Sequence, residues 1–263
     1  MTEFVDFAHR LADAARHETL PRFRTALAVD NKEDDAFDPV TDADREAERA
    51  IRALIESEQP EHGILGEEFG LHLPGAYHRW VLDPIDGTRS FICGAPTWTT
   101  LIALEAQEQP ALGIIDQPYI GERWCGTPQG TTFTHAGSVR VARTSGCTRL
   151  AEARISTTDP RSLAYFSKAE GAAFDRLAAV CKLARFSMDA YAYALLAVGQ
   201  LDLVVESGLA HYDYAALAPV VMGAGGVISN WSGERFDASA GGHLLAAATP
   251  ELHAAARAVL AGA

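Results

Sequence analysis

The stretch Trp80-Val81-Leu82-Asp83-Pro84-Ile85-Asp86-Gly87-Thr88-Arg89-Ser90-Phe91 runs from an apolar strand into two carboxylates three residues apart, then a glycine, a threonine and a helix start. Hard divalent cations such as Mg²⁺ take oxygen ligands from carboxylates and carbonyls and keep waters or phosphate oxygens in their remaining positions. Backbone amides freed by a glycine at a helix N-terminus bind phosphate. A segment that joins the two can hold a cation and the phosphoryl oxygens it polarises, the layout of metal-assisted phosphate ester hydrolysis. The competing reading is a tight turn, since Asp, Pro and Gly are turn formers in their own right.

Working outward, three further stretches stand in order around it. They are Asp38-Pro39-Val40-Thr41-Asp42-Ala43-Asp44, Gly66-Glu67-Glu68, and Tyr212-Asp213-Tyr214-Ala215-Ala216 followed by Gly223-Ala224-Gly225-Gly226. Together with residues 80 to 91 they resemble the signature of the inositol monophosphatase superfamily of Mg²⁺-dependent phosphatases. The resemblance implies an α/β fold of the five-layer αβαβα sandwich type, α+β in its N-terminal half and α/β in its C-terminal half. It implies two to three Mg²⁺ ions held by Glu67, Asp83, Asp86, Asp213 and the Ile85 carbonyl, with the phosphate bound by the amides of Gly87 and Thr88. Asp44 is implied to hydrogen-bond the Thr88 hydroxyl, so that Thr88, Asp44 and Glu67 are the catalytic residues that activate a water for direct attack. No phospho-enzyme is needed.

Within the superfamily, Thr88-Arg89-Ser90-Phe91, Ile115-Asp116-Gln117-Pro118 with Gly121-Glu122-Arg123-Trp124, and Asp189 to Leu196 running on to Asp202 to Leu209 resemble the histidinol-phosphate phosphatase branch. That branch converts histidinol phosphate and water to histidinol and phosphate in histidine biosynthesis. The expected substrate contacts are Asp86, Gly87, Thr88, Arg89, Asp189, Glu206 and Asp213. Histidinol phosphate carries an ammonium and an imidazole, so a selective pocket should present acids beyond those the metals use, and Asp189 and Glu206 are the candidates. Met188 and Ala210-His211 depart from the branch pattern near this pocket. Inositol monophosphatase, or another small sugar or nucleotide phosphatase of the superfamily, is the alternative, and neutral inositol could also use both acids as hydroxyl acceptors. A non-catalytic binding protein would require a lost ligand or a lost Thr88, and all are present.

Several of these residues have second readings. Asp213 and Asp189 each precede an apolar helix and suit an N-cap, which for Asp213 is compatible with metal binding because a helix N-terminus favours the ionised carboxylate. Thr41-Asp42-Ala43-Asp44 fits a capping box. Glu67 and Glu68 could be solvated loop acids. Arg89 could bind phosphate or form an ion pair, and His211 reads as a surface or packing residue.

Composition bounds the rest. The 263 residues are 48% hydrophobic, and 22 basic against 35 acidic side chains give a net charge of −13. Nucleic acid and anionic membrane surfaces are thereby disfavoured as partners, and an acidic protein that approaches a phosphate dianion has to bring cations. Cys93, Cys125, Cys147 and Cys181 show no paired spacing, which points to reduced thiols. An acidic N-terminus and the lack of a long apolar run predict a soluble cytoplasmic chain, and the family is commonly dimeric. Helical periods run through Phe4 to Ala15 and Ala47 to Ile55, with a charged loop from Val29 to Asp38 between them. Strands are expected at 63–65, 80–82, 99–104 and 111–115. Strand 154–157, helix 171–182, helix 191–198, strand 201–205, helix 214–222 and helix 254–260 make up the second half. One catalytic unit is expected over 1–263, with subdomains 1–146 and 147–263.

Overall fold

The computed structural model describes residues 2–26, 29–31, 39–161 and 165–262. Helix α1 (Thr2–Thr19) buries Phe7, Ala8, Leu11, Ala12 and Ala15 along one face. Strand β1 (Val29–Asn31) pairs antiparallel with β2 (Pro39–Thr41), so the start of the expected charged loop is strand. Residues 32–38, Asp38 among them, lie outside the described residues. Helix α2 (Asp42–Glu58) begins at a capping box on Thr41 and Asp44 and buries Ala47, Ile51 and Ile55.

Strands β3 (Gly63–Gly66), β4 (Gly70–His72) and β5 (His78–Asp86), helix α3 (Thr88–Ile92), and strands β6 (Thr99–Ala106), β7 (Gln109–Gln117), β8 (Glu122–Thr127), β9 (Gly130–His135) and β10 (Ser138–Val141) follow. They build an eight-stranded sheet in the order β10-β9-β8-β7-β6-β5-β3-β4. It is antiparallel except where β3 runs parallel to β5. Strands β4 and β8 to β10 were not among the sequence expectations: β10 is exposed along its length, and Thr131, Thr132 and Thr134 dilute the apolar signal of β9.

The second half contributes β11 (Arg154–Thr157), α4 (Lys168–Val180), β12 (Leu183–Phe186), α5 (Tyr191–Ala197), β13 (Leu203–Glu206), α6 (His211–Ala215), α7 (Leu217–Gly223), β14 (Val227–Ser229), β15 (Leu244–Ala247) and α8 (Pro250–Leu260). Its five-stranded sheet has the order β12-β11-β13-β15-β14. Helix α4 starts before the expected residue 171 because Ser167 and Glu170 form a capping box. The single helix expected over 214–222 is two helices. Pro219 has no N–H, and in a continuous helix its ring would press on the Ala215 carbonyl, so the chain breaks at Ala216.

Side chains alternate along each strand and therefore serve two cores. Trp80, Leu82, Ile102, Leu104 and Ile114 pack under α1 and α2, while Val81, Leu101, Ala103 and Ile115 meet Tyr193, Leu196, Leu217 and Val220 of α5 and α7. The second sheet adds Val204 and Ala246 to that middle layer. It turns Leu203, Val205, Leu245 and Ala247 to Phe174, Leu177, Leu252 and Ala256 of α4 and α8. The layers are thus helix, sheet, helix, sheet, helix, the expected five-layer αβαβα sandwich. No helix among the described residues is long and apolar enough to cross a membrane.

A fourth cluster, Phe23, Ala43, Ile85, Phe91 and Trp98, lies beneath the Asp83 to Phe91 segment. The rings of Phe91 and Trp98 meet edge to face at 4.9 Å. Phe91→Ala is expected to cost about 3–5 kcal/mol of stability, as a buried aromatic truncation does, measured by denaturant unfolding.

Candidate active site

Strand β5 would ordinarily point Asp83 and Asp86 to opposite faces, because residues three apart alternate. The ladder with β6 prevents this. Asp83 lies opposite Leu101 and Asp86 opposite Thr99, so three steps on β5 match two on β6. The extra residue is a bulge around Pro84, whose carbonyl accepts the Thr100 hydroxyl at 2.7 Å. Both carboxylates therefore reach the same cavity, where Asp213 of α6 joins them. One oxygen from each of Asp83, Asp86 and Asp213 lies within 4.8 Å of the others.

Asp213 is not the N-cap of an apolar helix, as one reading of the sequence had it. It sits in the first turn of α6 and its Oδ2 accepts the Ala210 N–H at 2.8 Å. Asp86 Oδ2 is held by the Ala190 N–H at 2.6 Å. Glu67 lies on the same cavity wall, outside the three-carboxylate cluster. Gly87 has φ of 82°, and a Cβ there would stand 2.8 Å from Asp189 Oδ2. Only glycine satisfies both conditions.

These acids crowd a cavity of about 320 Å³. Burial, then the charges of Glu67, Asp86 and Asp213, hold Asp83 well above the usual carboxylate range. Asp86 is raised by burial and then by Asp189 and Asp213. Asp83 Oδ1 is buried and has no hydrogen-bond partner among the described residues. An all-oxygen set with an unsatisfied buried acceptor and mutual repulsion fits a hard divalent cation, and the absence of His and Cys from the cluster disfavours zinc.

Asp44 does two jobs with two oxygens. Its Oδ2 accepts the Thr41 N–H at 2.9 Å and the Thr41 hydroxyl at 2.6 Å, while Oδ1 lies 3.4 Å from the Thr88 hydroxyl. The capping and orienting readings therefore coexist. Burial pushes the Asp44 carboxyl up to about 6. Thr88 also points at the Ile85 carbonyl, 3.1 Å away, and that oxygen keeps a second lone pair for another partner.

Asp189 and Glu206 also line the cavity. Asp189 does not cap α5: it accepts from Ser90 Oγ at 3.0 Å and lies 3.5 Å from Thr158 Oγ1. Glu206, at the end of β13, accepts the Thr158 N–H at 2.8 Å and hydroxyl at 3.0 Å, and the Thr157 hydroxyl at 3.1 Å. Burial drives its carboxyl up to about 8. The Arg89 guanidinium lies over the Tyr165 ring at 4.8 Å, an arrangement neither sequence reading of Arg89 contained. His211 faces away from the chemistry, its Nε2 at 2.7 Å from Glu105 Oε1. Thr158 and Tyr165 were missed in the sequence. A polar pair closing strand β11, Thr157-Thr158, was the available signal for the first.

On this fold such a site is suited to metal-dependent hydrolysis of phosphate monoesters, and known proteins agree. Residues 1–261 match the model of the inositol monophosphatase family. The chain belongs to that family and is a phosphomonoesterase. It is 42% identical to the bifunctional phosphatase IMPL2, chloroplastic, of Arabidopsis thaliana, over 90% of this chain and 66% of that protein. It is 37% identical to a histidinol-phosphatase of Streptomyces coelicolor, over 89% of this chain and 90% of that one. The solved inositol monophosphatase of Zymomonas mobilis superposes with a TM-score of 0.87 at 42% identity, covering 99% of this chain and 98% of that one.

The raised carboxyls set a pH dependence. Glu206 titrates at about 8 folded against an ordinary 4.5, so the protonated form favours the fold. Its contribution is complete below about pH 4.5 and is lost as pH rises through about 8. Metal-free protein is expected to melt several degrees lower at pH 8 than at pH 5, and Glu206→Gln to flatten that fall, as followed by thermal denaturation in chelator.

Proposed function

We propose that the chain is a Mg²⁺-dependent histidinol-phosphate phosphatase. The observation that carries this reading is the pair of further acids in the cavity. Asp189 and Glu206 line the same cavity as Asp83, Asp86 and Asp213, Asp189 close to Asp86, and Tyr165 and Tyr193 line it too. A bound organic cation favours the ionised form of acids that burial holds up, and aromatic faces suit it as well, which fits a leaving group bearing ammonium and imidazole better than a polyol. The likeness to histidinol-phosphatase sequence supports the same substrate. An inositol monophosphate substrate is the second reading, favoured by the similarity to the Zymomonas mobilis protein.

In this reading Glu67, Asp83, Asp86, Asp213 and the Ile85 carbonyl hold two to three Mg²⁺ ions. When bound, these supply Lewis-acid polarisation of the phosphoryl oxygens and raise the acidity of a water. The amides of Gly87 and Thr88 bind the phosphate, with Arg89 at the rim. The attacking water gives its proton to the Thr88 hydroxyl as that hydroxyl hands its own to Asp44, with Glu67 as the other acceptor beside the water. Attack on phosphorus is direct and no side chain is phosphorylated. Asp189 and Glu206 bind the leaving group. The segments 1–146 and 147–263 act as one catalytic unit, in a homodimer and in the cytoplasm.

Turnover with Mg²⁺ on histidinol phosphate, inositol phosphate, fructose bisphosphate and a 3′-phosphoadenosine compound tests the substrate, and the reading fails if histidinol phosphate is not the best of the four. Asp83→Asn is expected to lower kcat by about 100-fold or more on every substrate; near wild-type turnover in excess Mg²⁺ would remove Asp83 from the ligand set. Asp189→Ala should lower kcat/KM for histidinol phosphate by about tenfold or more, the worth of a charged hydrogen bond, with a smaller loss for inositol phosphate. Equal losses on the two would argue against selection of a cation.

A further inference from the structure

Helix α2 carries a second buried acid one turn beyond Asp44. Glu48 is fully buried and belongs to none of the motifs that mark the site. Its Oε2 accepts the Glu68 N–H at 2.8 Å and its Oε1 the Phe69 N–H at 3.3 Å. Arg52 Nε donates to the same Oε1 at 2.7 Å, and Arg52 Nη2 donates to the Gly70 carbonyl. The guanidinium groups of Arg49 and Arg52 lie 4.9 and 5.9 Å from the centre of the Phe69 ring.

On the other side of Glu67, a Cβ at Gly66 would stand 1.9 Å from Glu48 Oε1. The carboxylate thus fills the space that only a glycine leaves. Glu67 donates its own N–H to the Leu82 carbonyl at 3.1 Å, one residue before Asp83. The turn is therefore bonded to α2 after Glu67, packed against the Glu48 carboxylate before it, and bonded to β5 at its centre. An ion pair with Arg52 alone would account for the burial of Glu48, but it requires neither the two amides nor the vacancy at residue 66.

We propose that Glu48 is a positioning residue, which fixes the 66–69 turn so that Glu67 stands beside Asp83 and the site binds its divalent cation tightly. Residues four apart share one helix face, so α2 supports Thr88 through Asp44 and Glu67 through Glu48 on successive turns. The proposal rests on Glu67 belonging to the cation set, and the experiment separates the two.

Full-length wild type, Glu48→Gln, Glu48→Asp, Glu67→Gln and the Glu48→Gln/Glu67→Gln double variant are titrated with Mg²⁺ in the absence of substrate. Calorimetry and the metal-induced rise in Tm are the readouts, and circular dichroism checks the fold. Glu48→Gln is expected to weaken Mg²⁺ binding about tenfold or more, as loss of a partner that orients a ligand does. Glu48→Asp keeps a charge beside Arg52 but is one methylene too short to reach the amides, so it should weaken binding as well. It carries the test if Glu48→Gln does not fold. The double variant should bind no more weakly than Glu67→Gln alone, because one residue acts through the other.

Wild-type Mg²⁺ affinity in both Glu48 variants, with a weakened Glu67→Gln, would overturn the positioning role and leave an ion pair. Additive losses in the double variant would overturn it too. Unchanged affinity in Glu67→Gln would take Glu67 out of the cation set and remove the basis of the proposal.

Discussion

Repulsion among acids confined to one cavity is the constraint that the rest of this molecule answers. Two unit charges 4 Å apart in a partly screened protein site repel by about 4 kcal/mol, and oxygens of Asp83, Asp86 and Asp213 lie within 4.8 Å of one another. Glu67 and Asp189 add to the field. Without fastening, the side chains would swing apart or the backbone would relax. Three of them are tied by fixed donors: Asp86 by the Ala190 amide, Asp213 by the Ala210 amide, Glu206 by Thr157 and Thr158. The donors come from β11 and its following turn, from the start of α5 and from the start of α6. Asp83 and Asp86 themselves come from β5 in the other sheet. A layered sandwich is what brings those chain segments to one point.

The pull toward a cation follows from the same arrangement. A carboxyl held above its ordinary range by its neighbours, as Asp83 is, is relieved either by a proton or by a metal ion. At neutral pH, with a hard oxygen donor set, a divalent cation is the better relief. The strongly acidic composition pointed to such a need, and the geometry brings together Asp83, Asp86 and Asp213, three of the carboxylates the motifs had named for it.

Much of this was legible in the chain because the chemistry is carried by short local runs. Asp83, Asp86 and Gly87 stand within five residues, and Asp213 heads a recognisable apolar segment. What the sequence left hidden depends on distant partners. Two acids three apart on a strand belong on opposite faces, and the bulge that reunites them is set by pairing with Thr99 and Leu101, although Pro84, a poor ladder residue, hints at it. The split at Ala216 was readable from Pro219, whereas strands β8 to β10 were not, since their mixed side chains give no clear alternation. Glu48 looks like one more acid on an amphipathic helix. The 66–69 turn lies over it and Arg52 pairs with it, though its spacing of four from Asp44 placed the two on one face.

In the proposed function, Asp189 is why the phosphate end and the leaving-group end of the cavity are not independent. Its Oδ2 sits where any side chain at Gly87 would go and accepts the hydroxyl of Ser90. Its Oδ1 faces Thr158, which also holds Glu206. Burial raises its carboxyl, against the hydrogen bonds from Ser90 and Thr158 and the charge of Arg89, which lower it. A cation drawn to Asp189 therefore acts on the residue that packs against the phosphate-binding turn and adds to its field. Selectivity between relatives that share the Asp83 to Thr88 segment then need not come from the metal site. With the leaving group bound at Asp189 as proposed, it can arise from which charge that group brings there, and how well that charge offsets the acids the metals leave uncompensated.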